Sequence, residues 1–304
     1  MTAKRAIKLL LTLAILALLF TQINIQTLVA AFAKVKLEWM LLAAFLSMLM
    51  LLIRWFNWHL LVKKGLGEAN YQQTFASLLG GMSFALVTPA RVGDLSRVAF
   101  LKNGQRAEAS GLVLIDRFLD LSVVLFFGTI GITVFFGTNT LPLLLIANIF
   151  LLIGIFKLDF FLQLGAKLIP LKKLQEITSA ASIGLKRLTL TALAINLSLT
   201  ILLNLLDVIS LYVLVRALGV DNLKAVVFVY PLVMLTNLIP ITISGLGVRE
   251  STSVALFALF TIAKEVAFNA TFLAYIINSL VPALVGLYFF RELNRENKEV
   301  TINS

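Results

Sequence analysis

Four groups of charged residues interrupt an otherwise apolar chain, and each has the composition to hold an anion. The first is Thr88-Pro89-Ala90-Arg91-Val92-Gly93-Asp94-Leu95-Ser96-Arg97. Thr88 can cap a helix, and Pro89 suits its first position. A half-helix is expected there, carrying Arg91, Asp94 and Arg97 on its first turns. The second is Ser244-Gly245-Leu246-Gly247-Val248-Arg249-Glu250. Ser244, Gly245 and Gly247 free the backbone, and Arg249-Glu250 open the next helix. Free N–H groups, a positive helix end and a guanidinium together suit phosphate. Alone, Arg91/Asp94 or Arg249/Glu250 would only neutralise itself at an interface. The third group is Asp116-Arg117 with Asp120. Asp116 and Asp120 are four apart and share a helix face, so Arg117 points elsewhere. For Arg117 an interfacial, snorkelling position is the competing reading. The fourth is Arg54 with Asp207, each deep in a long apolar stretch. A charge at membrane depth costs a few kcal/mol on insertion scales and normally faces partners or water. Both are therefore expected to face a bundle interior.

The chain that must position these groups has 304 residues, 60% hydrophobic and 13% charged. Soluble domains carry about twice that charge, and the mean hydropathy of +0.99 points the same way. With no Cys and a single His, disulfide, thiolate-metal and His-rich sites are excluded. No catalytic triad, metal-spaced carboxylate motif or nucleotide-phosphate loop is present, so no cofactor is expected. The net charge of +11 is spread over short loops rather than gathered on one face, which argues against nucleic acid and for orientation charges.

Full spans are expected at 7–23, 37–60, 111–136, 141–156, 190–215 and 266–290. Residues 7–23 could be a signal peptide, but the Ala31-Phe32-Ala33 triplet lies well past the apolar region, favouring an uncleaved anchor. Two further apolar pieces, 71–102 and 225–263, are broken by Gly and Pro. They read either as re-entrant hairpins or as paired spans, and the 13 residues of 251–263 favour hairpins. Stretch 157–188, with six Lys and Arg among apolar residues, reads as an amphipathic cytoplasmic loop on the membrane surface. Residues 291–304 form a polar tail. His59, beside Trp55 and Trp58, reads as part of an interfacial belt. Asn196, Asn204, Asn237 and Asn278 read as helix–helix hydrogen-bonding groups. Most of the 26 Lys and Arg fall on the side of both termini, which makes the termini cytoplasmic. The expected fold is thus an all-α polytopic protein of the cell membrane, a single domain over 1–304.

The order span, span, hairpin, span occurs twice. Leu61-Val62-Lys63-Lys64-Gly65-Leu66-Gly67 matches Leu214-Val215-Arg216-Ala217-Leu218-Gly219. The separations Gly67 to Gly93 and Gly219 to Gly245 are both 26 residues. Each half holds an odd number of spans, so repeat 2 (137–290) must be inverted relative to repeat 1 (1–136). Broken helices at matching places of an inverted repeat point to a transporter's binding site.

Arg54-Trp55, the Thr88–Arg97 segment, Asp116-Arg117-Phe118-Leu119-Asp120 and the run from Ile239 to Glu250 resemble the transmembrane region family of lysylphosphatidylglycerol synthases. These are flippase-like integral membrane proteins, including the UPF0104 type. The resemblance covers roughly residues 5–290. Ala90 stands where the family often has Gly, and Asp94 where many members have Glu; neither change removes the charge pattern. The resemblance implies transfer of a polar-headed lipid between leaflets. Phospholipids or polyprenyl-phosphate-linked headgroups are the implied partners, and a separate lipid-modifying enzyme is another. Fusion members carry a soluble aminoacyltransferase domain that this sequence lacks, so lysyl transfer by it alone is not expected. The competing functions are a membrane-embedded enzyme using Asp94, Asp116 or Glu250 as acid or base, and a subunit serving a glycosyltransferase.

Overall fold

The computed structural model describes residues 35–86, 88, 92–101, 106–157, 160, 163–164, 179, 181–236, 242 and 244–288. Among them the chain is helical throughout, with no strand. Its elements are α1 (Leu37–Leu66), α2 (Tyr71–Leu86), a 3₁₀ segment (Val92–Phe100), α3 (Arg106–Phe136), α4 (Leu141–Phe156), α5 (Leu190–Ala217), α6 (Leu223–Leu235), α7 (Val248–Ala258) and α8 (Lys264–Tyr288). The middle of α8, Ile276–Leu280, is a π turn.

Four helices are long and apolar enough to cross a membrane: α1, α3, α5 and α8, with 30, 31, 28 and 25 residues. At 1.5 Å per residue each exceeds the roughly 30 Å hydrocarbon layer. Helix α4 has the expected bounds 141–156, but its 16 residues, about 24 Å at 1.5 Å each, fall short of the hydrocarbon thickness. The span expected at 7–23 and the tail 291–304 lie outside the described residues. Of the 157–188 loop, only the end is described continuously. There residues 181–186 are helical, Gly184 abuts the Glu108 carbonyl, and Arg187 pairs with Glu108 at 2.9 Å.

The helix ends follow from local chemistry. Thr189 caps α5 by accepting from the Ala192 N–H, and Asn222 caps α6 by accepting from that of Ala225. Helices α1 and α5 both stop at glycines in the left-handed region, Gly67 (φ 83°) and Gly219 (φ 88°), a conformation that residues with a side chain rarely adopt.

Helices α1 and α5 pack along each other as antiparallel partners, the Lys36 N–H donating to the Ala217 carbonyl at 3.2 Å. One apolar core joins the first half of α1 to α5, α6, α7 and α8. A second joins the last half of α1 to α2 and α3. Small residues allow close approach where apolar packing must replace a solvent-driven force. Gly131 of α3 lies under the Phe228 carbonyl of α6, and Gly286 of α8 under the Leu79 carbonyl of α2. Large apolar side chains point outward: Phe45 and Met48 on α1, Ile146 and Phe150 on α4, each more than 60% exposed. Lipid tails are the solvent that accepts such a surface.

Candidate functional site

The two breaks in the helices build two different charge clusters. At the first, α2 ends and the Thr88 hydroxyl accepts from the Gly93 N–H at 2.7 Å. The capping role expected for Thr88 is present, but the chain continues as a 3₁₀ helix from Val92 rather than as an α half-helix. Gly93 sits against the Phe84 carbonyl carbon and oxygen, where a Cβ would come within 2.3 Å of either atom. This contact swings Asp94 and Arg97 inward, and each is only 2% exposed.

Arg97 reaches Asp94 at 3.3 Å and Asp116 at 2.9 Å. Its guanidinium lies 5.4 Å from the ring centre of Trp58, a cation–π contact. Its carbonyl accepts from Ser77, which in turn accepts from the Trp58 indole. Arg117 pairs with Asp94 at 2.8 Å and with Asp120 at 3.7 Å. The expectation that Arg117 points away from the carboxylates is therefore corrected. The long guanidinium stem sweeps back across the helix face to meet Asp94 from the other segment, a reach that helical spacing alone does not express. Arg91 lies outside the described residues.

At the second break Ser244 (φ 55°), Gly245 (φ 74°) and Gly247 (φ 84°) are all left-handed. For Ser244 that conformation is strained by about 1 kcal/mol. The turns deliver the chain to α7, where the Glu250 carboxylate accepts from the Gly247 N–H at 2.7 Å and pairs with Arg249. This carboxylate-to-backbone bond is the glutamate half of a capping box. Glu250 is fully buried and Arg249 nearly so. Arg249 also stacks 4.6 Å from the Tyr275 ring.

Arg54 on α1 and Asp207 on α5 face each other at 3.5 Å, and both stay partly exposed, 28% and 16%. They line a cavity of about 40 Å³ together with Arg249, Tyr230, Tyr275 and Asn278. That is about three times the roughly 10–15 Å³ that one water molecule needs. The deep pair and the second break thus share one cavity, fed by α1, α5, α6, α7 and α8. The first cluster is tied to it through Asn204, whose amide reaches Asp120 at 3.5 Å and which lines a smaller cavity with Asp207 and Tyr230. No group of three or more His, Cys, Asp or Glu fit to hold a metal occurs among the described residues.

Four residues took positions for which the sequence carried no usable signal. Trp58 is buried under Arg97 and His59 is buried against Thr74 and Tyr71, so neither forms the interfacial belt expected of them. Aromatic residues near a helix end look the same in sequence whether they face headgroups or a neighbouring helix. Tyr230 and Tyr275, both in the cavity, are ordinary apolar-helix residues by sequence. Asn196 does hydrogen-bond across helices, donating to Asn57 at 2.8 Å.

The sequence profile described as the lysylphosphatidylglycerol synthase TM region matches residues 5–286, spanning both breaks and all four long helices. The chain belongs to this family. Family membership and the four long apolar helices together make it a multi-pass membrane protein. The UPF0104 membrane protein MJ1595 of Methanocaldococcus jannaschii is 22% identical over 323 residues, covering 96% of each chain. No solved structure matches at a significant level. The family's match extends over the charged segments just described, so the clusters belong to its common region rather than to an added module.

Proposed function

We propose that the protein moves a lipid with a polar, phosphate-bearing headgroup between the leaflets of the cell membrane. One observation carries this reading: Arg54, Asp207 and Arg249 meet in one cavity at mid-helix depth, from helices that otherwise present apolar residues to lipid. Charges held there require a purpose that offsets their cost. A headgroup can exchange its hydration for those groups while its acyl chains stay in the bilayer. In this reading Ser244, Gly245, Gly247 and Arg249 receive the headgroup on one side. Asp94, Arg97, Asp116, Arg117 and Asp120, with Arg91, receive it on the other.

The architecture behind this reading is an inverted repeat of 1–136 and 137–290, with six full spans, two re-entrant pieces and both termini cytoplasmic. Element bounds support it. Gly67 and Gly219 lie 152 positions apart, and the same shift carries α1 onto α5 and the start of α2 onto that of α6. Pairing of the corresponding helices α1 and α5 at the centre is what a pseudo-two-fold arrangement requires.

The test is reconstitution into liposomes carrying headgroup-labelled phospholipids. The wild type should move label between leaflets, and Arg54→Leu and Arg249→Lys, which keeps a cation beside buried Glu250, should each lower the rate at least about tenfold while remaining monodisperse and helical. A purified protein that moves no lipid class, or unchanged transport in both variants, would sink the reading. Conversion of the lipid to a product of different mass would make the site catalytic instead.

A further inference from the structure

We propose that two apolar crevices beside the Arg54–Asp207 pair each take a lipid acyl chain, one entered from each leaflet. This rests on the transport reading and its inverted repeat, and adds the path of the hydrocarbon part of the lipid. The first crevice is walled by Met50 and Leu51 of α1, Met82 of α2 and Pro282 of α8. The second is walled by Val208 of α5, Met234 of α6, and Val124 and Phe127 of α3. Asp207 borders both crevices, and Arg54 borders the first. Both residues also line the charged cavity, so the three spaces meet at this one pair.

The two crevices correspond. The shift of 152 positions that carries Gly67 onto Gly219 also carries Met82 onto Met234. Each crevice takes two walls from its own half, α1 with α2 or α5 with α6, and the third from the last long helix of the other half. The same shift carries Arg54 onto the residue before Asp207, which places their contact at the pseudo-two-fold axis. An axis lying in the membrane plane turns one crevice toward each leaflet. The third wall meets its neighbour through a glycine in both cases, Gly286 under the Leu79 carbonyl and Gly131 under that of Phe228. Such close approach leaves each crevice about 10 Å³, the space of one water molecule. A chain must therefore widen it. Methionine suits that task, being unbranched, freely rotating and polarizable, and able to pack against irregular apolar shapes. An aliphatic chain is the occupant these walls fit, because they are mainly apolar away from the pair while the pair itself suits the phosphate. A headgroup at Arg54 can then keep a chain in one crevice as it arrives and in the other as it leaves.

The experiment uses the full chain, reconstituted in a single orientation in liposomes. The probe is a phosphatidylglycerol with a diazirine on one acyl chain, present in one leaflet only. Brief illumination is followed by mapping of the labelled residues by mass spectrometry. Met82 is 4% exposed, so label on it reports a chain inside the crevice. Label should fall on one of Met82 and Met234 with the probe in one leaflet, and move to the other when the probe is in the opposite leaflet. Met82→Trp, which fills its crevice, should remove that crevice's label and slow transport, and Met82→Leu, close in volume, should keep both. The wild-type map stands whether or not the Trp variant folds. Label confined to outward residues such as Phe45 and Phe150, or equal label on both methionines from one leaflet, overturns the proposal. Transport without label on either methionine does the same and leaves the transport reading standing. Leaflet-dependent label in a protein that moves no lipid overturns the transport reading and keeps the two chain sites.

Discussion

The two helix breaks carry similar residue types but are wired differently. At the first, two arginines and three carboxylates share their partners: Asp94 serves Arg97 and Arg117, while Arg97 also holds Asp116 and Arg117 also holds Asp120. At the second, Arg249 and Glu250 form a closed pair sealed by a backbone N–H, with the guanidinium turned to the cavity. The shared network tolerates the loss of one link because each arginine keeps another partner. The closed pair has no such reserve. A network of this kind suits a part that must reorganise, and a sealed pair suits a fixed receptor for an anion.

The sharpest test of that contrast compares Glu250→Gln with Asp94→Asn. Losing Glu250 leaves a buried guanidinium without its carboxylate and should cost about 3–5 kcal/mol, read as thermal unfolding in detergent. Asp94→Asn should cost about 1–2 kcal/mol, because Asp116 and Asp120 remain. Equal losses would break the distinction. Next in size, Gly93→Ala should destabilise by about 1–3 kcal/mol through its contact with the Phe84 backbone. At the other break, Ser244→Gly should instead stabilise by about 0.5 kcal/mol, relieving the left-handed serine. A destabilising Ser244→Gly would mean that the hydroxyl, not the turn, matters there. Third, a double-mutant cycle between Arg54→Leu and Asp207→Leu should return a coupling of about 1–2 kcal/mol, since each single variant strands the other charge at membrane depth. A larger value would argue that this pair is structural and not exchangeable. Smallest of all, Arg216→Ala should shift stability by less than about 1 kcal/mol, its pair with Asp221 being open to solvent.

Much of the architecture is legible in the sequence for one physical reason. A lipid-facing helix must be apolar over its whole length, so α1, α3, α5 and α8 announce themselves. Their ends were less visible: α1 runs on to Leu66 through Lys63 and Lys64, and α3 starts at Arg106, because amphipathic final turns continue a helix into the headgroups. The charged candidates could be found by their rarity, and Arg54, Asp207 and Arg249 fall together in one cavity. Who pairs with whom could not be read. Arg117 joins Asp94 across two segments, and Trp58 goes under Arg97, because such choices depend on crossing angles that no local pattern encodes. The 3₁₀ path after Thr88 was equally hidden, since it follows from Gly93 pressing on the Phe84 backbone.

The π turn at Ile276–Leu280 has a mechanical meaning of its own. It packs one extra residue into a turn of α8, and the Ile277 carbonyl accepts from Ser47 of α1 at 2.9 Å. It also carries Asn278 and Ser279, which line the cavity. Were that turn to relax to ordinary winding, everything beyond it would rotate by about 100° and Gly286 would leave the Leu79 carbonyl. The serine on the neighbouring helix thus grips the one turn whose winding sets the angular position of the rest of α8.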